Sequence, residues 1–279
     1  MAVRSFAEDS RTTRAAAPAG RPRVALVLSG GAARGLAHIG VLQVLSRERF
    51  PIDLVVGTSA GAVVGALYTA GLDLNMIAGL ATRLNWRHLI RVVVPRRAVL
   101  EPIGLERVLG LLLRARDFSE LSPALVVTAV DLHTGAPVLL REGPLVSAVM
   151  ASAAIPAIFP PVERDGQLLV DGGVLLRLPV RAARSLGAGY VIAVDVSPGI
   201  HQAKTASIWD TLMTSLDIMG REISRGEAEA ANCLIRPDLG QVSGSQLNWA
   251  GWLIKRGREA AEAALPALRR DLIRAGVLP

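Results

Sequence analysis

The sequence predicts an α/β fold with a mostly parallel central sheet, and two observations carry this prediction. Apolar runs alternate with helical stretches, which is the order expected of parallel strands joined by covering helices. The runs are nearly continuous Val, Leu and Ile without polar alternation, as is typical of strands buried on both faces. The predicted strands cover residues 23–29, 52–57, 124–132, 167–172, 190–197 and 233–238.

Helices are predicted in the intervals between these strands. They cover residues 33–48, 60–70, 103–114, 145–154, 179–186, 206–230 and 250–275. Residues 137–143 are expected to pair with the strand before them through the turn HTGA. Residues 73–122 do not follow the alternation of strands and helices, which predicts an insertion, or cap, above the sheet. We therefore expect a single domain over residues 23–279, preceded by a disordered basic tail over residues 1–22.

The chain is basic, with 31 Lys and Arg against 24 Asp and Glu and a net charge of +7. This balance suits an anionic partner such as nucleic acid or a lipid surface. Aromatic residues make up only 4% of the chain, too few for a base-stacking platform, so no nucleic acid is expected. Arg91, Arg96 and Arg97 lie among apolar residues, which predicts peripheral contact with an anionic membrane. An ordinary surface helix with solvated arginines is the alternative.

The sequence also predicts where the protein is found. No apolar run approaches the roughly 18 residues that a membrane span requires, and the first residues contain no apolar segment typical of a secretion signal. Cys233 is the single cysteine, so neither an intramolecular disulfide nor a cysteine-based metal cluster is expected. We therefore expect a cytoplasmic protein, with a peripheral position at the inner membrane surface as a further hypothesis.

Residues 57–61, Gly-Thr-Ser-Ala-Gly, match G-x-S-x-G and lie between an apolar strand and a helix-forming run. This context predicts a nucleophile elbow, a sharp strand-to-helix turn that strains the serine backbone and holds its Oγ above the sheet edge. Gly57 and Gly61 allow the neighbouring chain to approach without a Cβ clash. Ser59 is therefore predicted to be a nucleophile at a helix N-terminus, where the dipole favours developing negative charge.

A second glycine-rich turn, Ser-Gly-Gly-Ala-Ala-Arg-Gly at residues 29–35, closes the first strand and opens a helix. Its backbone N–H groups suit an oxyanion hole, because adjacent parallel strands would bring this loop beside Ser59. A dinucleotide site is a rival interpretation, but Ala32 stands where that motif needs glycine and no acidic residue ends the next strand. A plain turn that uses glycine for conformational freedom is the third.

The serine needs a base, and two kinds of residue compete for this role. In a triad of the order Ser, Asp, His only His133 or His201 is available, although both lie in polar stretches where a surface histidine is the simpler interpretation. Asp131, Asp171 and Asp195 each end a predicted strand. Asp171 is the strongest candidate because burial would raise its pKa and make it a better proton acceptor. Its alternative role is to cap the following turn.

Four ordered blocks together resemble one family. They are SGGAARGLAHIGVLQVL, GTSAG, ASAAIPAIFPPV and VDGG. In this order and at these separations they resemble the bacterial branch of the patatin-like phospholipase family, over roughly residues 23–200. The resemblance implies a three-layer α/β/α fold and a Ser-Asp catalytic dyad without histidine. It also implies action on acyl esters of lipids, with no metal and no cofactor.

The resemblance assigns roles to particular residues. It makes Ser59 the nucleophile and Asp171, which is followed by Gly172 and Gly173, the base. It places the oxyanion donors in the loop that contains Gly30, Gly31, Ala32 and Arg34. Bacterial members commonly have a third glycine where this chain has Ala32. An alanine amide is expected to serve if its φ is negative, and Arg34 is expected to brace the loop.

The sequence thus predicts a serine acyl hydrolase that cleaves carboxylic esters of lipids, of the phospholipase A, lysophospholipase or esterase type. The segment AIPAIFPPV is expected to line the acyl-chain pocket, with simple core packing as its alternative. Two other functions stay open: a weakly active or inactive regulatory or binding protein with the same fold, and a thioesterase or acyltransferase that uses the same dyad.

Overall fold

The structure is a computed structural model that describes residues 20–92, 98–114, 116–198 and 208–279. The strands of the described residues are β1 Val24–Leu28, β2 Leu54–Gly57, β3 Arg91–Val92, β4 Leu100–Glu101, β5 Ala124–Asp131, β6 Pro137–Leu140, β7 Val162–Arg164, β8 Gln167–Asp171, β9 Tyr190–Val194 and β10 Cys233–Ile235. The helices are α1 Ala37–Arg47, α2 Ala60–Thr69, α3 Leu74–Arg83, α4 Trp86–Leu89, α5 Ile103–Leu113, α6 Leu145–Ser152, α7 Val180–Ser185, α8 Ile208–Ala228 and α9 Ala250–Arg274.

Eight of these strands form one mixed sheet in the order β10-β9-β1-β2-β5-β8-β7, with β6 also paired to β5. The neighbours from β10 to β5 are parallel, so the predicted mostly parallel sheet is confirmed, and β6 pairs with β5 as expected. The strand at 167–172 was expected to be parallel, and this is wrong: β8 runs antiparallel to β5. The reason is local, because β7 and β8 form a hairpin whose turn residues, Asp165 and Gly166, both have positive φ.

Two separate apolar cores lie on the two faces of the sheet, as the alternation of side chains along β1 shows. Leu26 and Leu28 pack into the larger core with α1, α2, α6 and α9. Ala25 and Val27 point to the smaller core, which contains Val180 of α7. Since consecutive side chains of a strand point to opposite faces, the sheet is covered by helices on both sides. The three-layer α/β/α fold is therefore confirmed.

The segment at 73–122 contributes α3, α4, the β3–β4 hairpin and α5. Helix α3 packs on α1 and α9, and α5 packs on α2 and α6. The insertion therefore widens the helical layer on one face of the sheet. Arg91 and Val92 are exposed in the hairpin, whereas Arg96 and Arg97 lie outside the described residues. The predicted membrane contact of this segment stays a prediction.

At the N-terminal end, the fold begins slightly earlier than the sequence predicted. Residues 1–19 of the expected tail lie outside the described residues. The guanidinium of Arg21, however, forms a two-fold hydrogen-bonded ion pair with Asp53 at 2.7 and 2.8 Å. The Asp53 carboxylate also accepts the backbone N–H of Val24 at 2.8 Å, so Arg21 is tied to the start of β1.

Helices α1 and α9 approach each other closely because a glycine of each faces the other's backbone. A Cβ on Gly40 would lie 1.9 Å from the Ile254 carbonyl oxygen, and a Cβ on Gly257 would lie 1.9 Å from the Ala37 carbonyl oxygen. Backbone atoms cannot move aside as the tip of a side chain can. This contact therefore fixes the position of α1, the helix that follows the glycine-rich loop at residues 29–35.

We expect Gly40→Ala to lower the free energy of unfolding by about 1–3 kcal/mol, because the added methyl group forces the two helices apart. Chemical denaturation followed by circular dichroism measures this change. Gly79→Ala in α3 is the matched control, since a Cβ there meets no atom within 4 Å. The control should stabilise by up to about 1 kcal/mol through helix propensity. Equal effects of the two substitutions would contradict the close α1–α9 contact.

Candidate active site

The C-terminal ends of β2 and β8 face each other along one side of β5. Val127 of β5 pairs with Gly57 of β2 and also with β6, so β2 and β6 lie on opposite sides of β5. Ala129 pairs with Asp171 of β8 and again with β6, so β8 lies on the same side as β2. The two strands run toward each other and stop two β5 positions apart. This register brings the residues after Gly57 up to Asp171.

Ser59 occupies the apex of the strand-to-helix turn that the sequence predicted. Its φ of 53° and ψ of −120° lie outside the ordinary regions for a residue with a side chain. A Cβ on Gly57 would lie 2.7 Å from the Ala62 Cα, and a Cβ on Gly61 would lie 2.2 Å from the Leu28 carbonyl oxygen. The two glycines are therefore needed for the close approach of the turn to β1 and α2, as predicted for a nucleophile elbow.

A second serine, which the sequence analysis did not single out, holds the backbone of the first. The Ser59 N–H donates to the Oγ of Ser152 at 2.8 Å, and both residues are buried. Ser152 is the last residue of α6 and lies within the block at 151–162, where only apolar lining was expected. An unpaired buried N–H costs about 1–3 kcal/mol, so this hydroxyl stabilises the strained turn.

Asp171 is buried, with 6% of its surface exposed, and its carboxyl group interacts directly with the turn. The Ser59 hydroxyl lies close enough to this carboxyl to lower its pKa. The Gly173 N–H donates to its Oδ1 at 2.7 Å. Burial raises the pKa of Asp171 to about 6, although the hydrogen bonds from Ser59 and Gly173 and the positive charge of Arg177 lower it. The structure therefore brings together the two predicted dyad residues.

A buried network of two threonines locks the Asp-Gly-Gly turn onto the serine turn. Thr58 donates from its Oγ1 to the Leu176 carbonyl at 2.6 Å, and the same atom lies 2.7 Å from Thr128 Oγ1. A Cβ on Gly172 would lie 2.1 Å from Thr128 Oγ1, so only glycine fits there. Neither threonine was predicted from the sequence, because the roles of both depend on which strands are neighbours.

The glycine-rich loop at residues 29–35 lies against the same serine. A Cβ on Gly30 would lie 3.4 Å from the Ser59 Cβ. The Gly30 N–H donates to the Arg177 carbonyl at 2.9 Å, and the Arg34 N–H donates to the Gly31 carbonyl at 3.1 Å. Among the described residues, the amides of Gly31 and Ala32 have no such acceptor. Of the four predicted oxyanion residues, these two keep an amide available.

Ala32 differs from the sequence expectation in its backbone. An alanine amide was expected to serve if its φ is negative, and the structure gives a φ of 48°. This left-handed conformation costs an alanine roughly 1–2 kcal/mol more than it costs a glycine, because of the alanine Cβ. The methyl group lies close to Gly244, where a Cβ would be 3.2 Å from the Ala32 Cβ. Ala32 therefore adopts the left-handed conformation that a glycine at this position would adopt more easily.

Two cavities meet at Ser59. One, with a volume of about 90 Å³, is lined by Asp171, Arg34, Arg177 and residues of α8. The other, of about 180 Å³, is almost wholly apolar and lies between α1, α2 and the insertion helices α3 to α5. Ser59, Ala32 and Ile155 line both cavities. Ile155 and Phe159 of the predicted lining segment take part in the apolar pocket, but the insertion supplies more of its wall than the sequence indicated.

Three of the four rival bases, Asp131, Asp195 and His133, do not reach this site. Asp131 accepts the Thr134 hydroxyl and the His133 N–H within its own turn, and His133 is exposed. Asp195 accepts the Ser197 N–H and pairs with Arg236 at 2.8 Å. Both aspartates therefore have the capping or pairing role of structural residues. His201 lies outside the described residues, so the triad through that histidine is untested.

Comparison with known proteins agrees with this geometry. The sequence model of the patatin-like phospholipase family matches residues 26–184, more than half of the chain. The chain belongs to the patatin-like phospholipase family. It is 38% identical over 182 residues to an uncharacterised NTE family protein of Mycobacterium tuberculosis, covering 63% of this chain and 49% of that protein. It is 30% identical over 179 residues to the lysophospholipase NTE1 of Debaryomyces hansenii, covering 62% of this chain and 12% of that protein.

The patatin-like fold also has a solved counterpart. The crystal structure of VipD from Legionella pneumophila superposes with a TM-score of 0.50 at 13% sequence identity, covering 90% of this chain and 68% of that chain. This likeness concerns the fold alone. The chain spans about half the length of the first curated relatives that it matches.

The described part of the patatin-like structure has neither a cluster of metal-binding side chains nor a membrane-spanning helix. Within residues 20–92, 98–114, 116–198 and 208–279, no cluster of three or more His, Cys, Asp or Glu side chains is placed to hold a metal ion. No helix in those same ranges combines the length and the apolarity that crossing a membrane requires.

We expect Asp171→Asn to stabilise the patatin-like fold above pH 6 and to have little effect at acidic pH. Since the folded pKa of about 6 exceeds the ordinary value of 3.8, the folded state keeps a proton that the unfolded state loses, and stability falls as pH rises through this window. The gain at pH 8 should be about 1–3 kcal/mol, from about 1.4 kcal/mol per pKa unit. Urea denaturation at pH 4 and pH 8 measures it.

Asp165→Asn is the matched control for this substitution, because the Asp165 side chain is 84% exposed. It should change the free energy of unfolding by no more than about 0.5 kcal/mol at either pH. A gain for Asp171→Asn that is equal at pH 4 and pH 8 would show that burial of the charge is not its cause.

Proposed function

We propose that this chain is a serine acyl hydrolase that cleaves carboxylic esters of lipids through Ser59, Asp171 and an acyl-enzyme intermediate. One observation carries the proposal: Ser59 and the buried Asp171 line the same cavity, the Ser59 hydroxyl interacts with the Asp171 carboxyl, and an apolar pocket meets this cavity at Ser59. A nucleophile that donates to a base within the reach of one hydrogen bond is the arrangement that covalent catalysis needs. Membership of the patatin-like phospholipase family supports the same class of reaction.

In the proposed first step, Asp171 accepts the Ser59 proton as Oγ bonds to the ester carbonyl carbon. The carbon–oxygen bond to the alcohol then breaks, and the departing alkoxide takes the proton from Asp171. Water next donates a proton to Asp171 and attacks the acyl group, which leaves as a fatty acid while Ser59 regains its proton. A carboxyl with a pKa of about 6 is ionised at neutral pH yet more basic than an ordinary aspartate, as this role requires.

The amides of Gly31 and Ala32 are the proposed donors to the oxyanion, and Ala32 takes this role with a φ of 48° instead of the negative φ that was expected. They have no backbone acceptor among the described residues, and both residues line the cavity at Ser59. Donors that are fixed before the reaction stabilise the developing charge without reorganisation. Each is typically worth about 2.7–4 kcal/mol of barrier. Gly30 and Arg34 instead use their amides to hold the loop in shape.

The apolar pocket is the proposed site of the acyl chain. It contains side chains such as Val63, Leu109 and Phe159, with hardly any polar surface, and it opens at the nucleophile. A hydrocarbon chain gains free energy by leaving water for such a surface. One relative, the NTE1 protein of Debaryomyces hansenii, is named a lysophospholipase, which supports a lipid ester as the substrate of this chain as well.

We expect Ser59→Ala and Asp171→Asn each to reduce hydrolysis of short p-nitrophenyl esters by at least about 1,000-fold, because a nucleophile and its base act as one unit. A fluorophosphonate probe should label the unsubstituted protein and not Ser59→Ala. The value of kcat/KM should rise with pH through about 6 as Asp171 ionises. His133→Ala is the control and should stay active. An active Asp171→Asn protein would disprove the dyad.

We expect Val108→Phe to lower kcat/KM for a 12-carbon p-nitrophenyl ester at least about tenfold more than for a 4-carbon ester, because the larger side chain takes up part of the apolar pocket and the longer chain needs more of that space. Leu111→Phe is the matched control on the same helix. Its side chain is 77% exposed, so both esters should be hydrolysed as before. An equal loss on both chain lengths for Val108→Phe would place the acyl chain elsewhere.

A further inference from the structure

A loop in the C-terminal part of the chain contacts the proposed oxyanion hole. Residues 236–249, the C-terminal loop, connect β10 to α9, whereas the model of the patatin-like phospholipase family matches residues 26–184. The carbonyl of Gly244 in this loop accepts the Ala33 N–H at 2.9 Å. Ala33 directly follows Ala32, whose amide is a proposed oxyanion donor. A segment that the family model does not match therefore holds the glycine-rich loop.

Gly244 also limits the space beside Ala32. It is buried, and a Cβ on it would lie 3.2 Å from the Ala32 Cβ, so Ala32 would have to move by a few tenths of an ångström. The other neighbours of this Cβ, Met213 and Arg34, would be at ordinary distances of 3.7 and 3.8 Å. Gly244 does not have a positive φ, so its backbone would accept an alanine. The glycine is therefore needed for space and not for its own conformation.

The C-terminal loop is anchored on both sides of Gly244. The side chains of Leu239 and Val242 are buried in the larger core. The Gln246 side chain accepts the Ser243 N–H at 2.7 Å, and the Gln246 N–H donates to the Ser243 carbonyl at 3.0 Å. A methyl group added at Gly244 would therefore displace its neighbour in the glycine-rich loop rather than the C-terminal loop itself.

Arg34 forms a second connection between the two loops. Its Nη1 lies 3.4 Å from the Val242 carbonyl, and its Nη2 donates to Asp217 Oδ1 of α8 at 2.6 Å. Arg177 donates to the same carboxylate oxygen at 2.8 Å, and its carbonyl accepts the Gly30 N–H at 2.9 Å. The glycine-rich loop is therefore held before and after the two amides that are the proposed oxyanion donors.

We propose that Gly244 is a positioning residue of the oxyanion hole, which fixes the Ala32 amide where the oxyanion forms. The inference rests on the proposed function and adds to it a determinant from outside the matched region. Gly244 lines neither cavity, so it acts through Ala32. Donors must be held within about 0.5 Å of the productive position. Because the φ of Ala32 is one that alanine disfavours, contacts from a neighbouring segment are needed to keep it there.

The test compares Gly244→Ala in two backgrounds, the unsubstituted protein and Ala32→Gly. Gly244→Ala keeps the backbone carbonyl that binds Ala33 and adds only the methyl group that meets Ala32. Ala32→Gly removes the other methyl group of this pair, so the added one has no Cβ to displace. Gly251→Ala at the start of α9 is the matched control, because a Cβ there would make only an ordinary contact, 3.9 Å from Thr82 Cγ2.

The first measurement is of kcat and KM for a 4-carbon p-nitrophenyl ester. In the unsubstituted background, Gly244→Ala should lower kcat about tenfold and leave KM within about twofold, because a displaced oxyanion donor is lost in the transition state. In the Ala32→Gly background the same substitution should change kcat by no more than about twofold. Gly251→Ala should keep both constants within about twofold. Equal losses of kcat in the two backgrounds, no loss in either, or a loss carried by KM alone would overturn the inference.

The second measurement does not depend on turnover. Gly244→Ala should lower the melting temperature by at least about 3 °C more in the unsubstituted background than in the Ala32→Gly background, because only the first contains the close pair of Cβ atoms. An equal shift in the two backgrounds would show that the added methyl group does not act on Ala32, and the inference would then be wrong.

The two measurements separate this inference from the proposed function. An unsubstituted protein that cleaves no ester and is not labelled by the fluorophosphonate probe contradicts the proposed function. The melting experiment then still decides whether Gly244 constrains Ala32. A protein that cleaves esters, with equal losses of kcat in the two backgrounds, remains an acyl hydrolase in which Gly244 has no positioning role.

Discussion

The geometry of the site depends on one side of β5, along which β2 and β8 approach each other from opposite directions. Because both strands pair with the same edge, their ends are fixed by the β5 ladder, near Val127 and Ala129. Hydrogen-bond ladders set positions to within a fraction of a residue, so Ser59 and Asp171 meet without any contribution from flexible loops. The buried Thr58 and Thr128 hydroxyls then join the two turns directly. An antiparallel β8 is therefore a requirement of the proposed dyad, since a parallel strand in this place would present its other end to Ser59.

Several features of the site oppose the stability of the fold. Ser59 and Ala32 both adopt positive φ values that disfavour residues with a side chain, at about 1–3 kcal/mol each. Burial of Asp171 disfavours its charged form, which is why its pKa is raised, and this lowers the stability of the fold at neutral pH. These conformations persist because hydrogen bonds from neighbouring elements hold the two turns in place. Ser152 holds the Ser59 amide, and the Arg177 carbonyl holds the Gly30 amide. The apolar cores on both faces of the sheet supply the stabilisation that such a site requires.

The sequence predicted those parts of the structure that short stretches determine. The apolar runs predicted six of the ten strands in the described residues, and the motif around Ser59 predicted the elbow, because both signals are local. The direction of β8 depended on its hairpin with β7, which the apolar run of β8 alone did not indicate. Ser152, Thr58 and Thr128 were missed because a hydroxyl acquires its role only from a distant neighbour. Asp217 lies on an amphipathic helix, where a solvated carboxylate is the ordinary expectation, and no local signal places it between two arginines.

The division of the site into two unlike cavities also fixes the orientation of the proposed substrate. Ser59 and Ala32 line both cavities, so an ester that spans them has its carbonyl at the nucleophile and beside the Ala32 amide. The opposite orientation would place the polar alcohol part of the ester among side chains such as Leu109 and Phe159. This placement is unfavourable, because polar groups lose water without gaining hydrogen bonds. In the proposed reaction, the residues that line the apolar pocket therefore determine which side of the ester forms the acyl-enzyme and which side leaves.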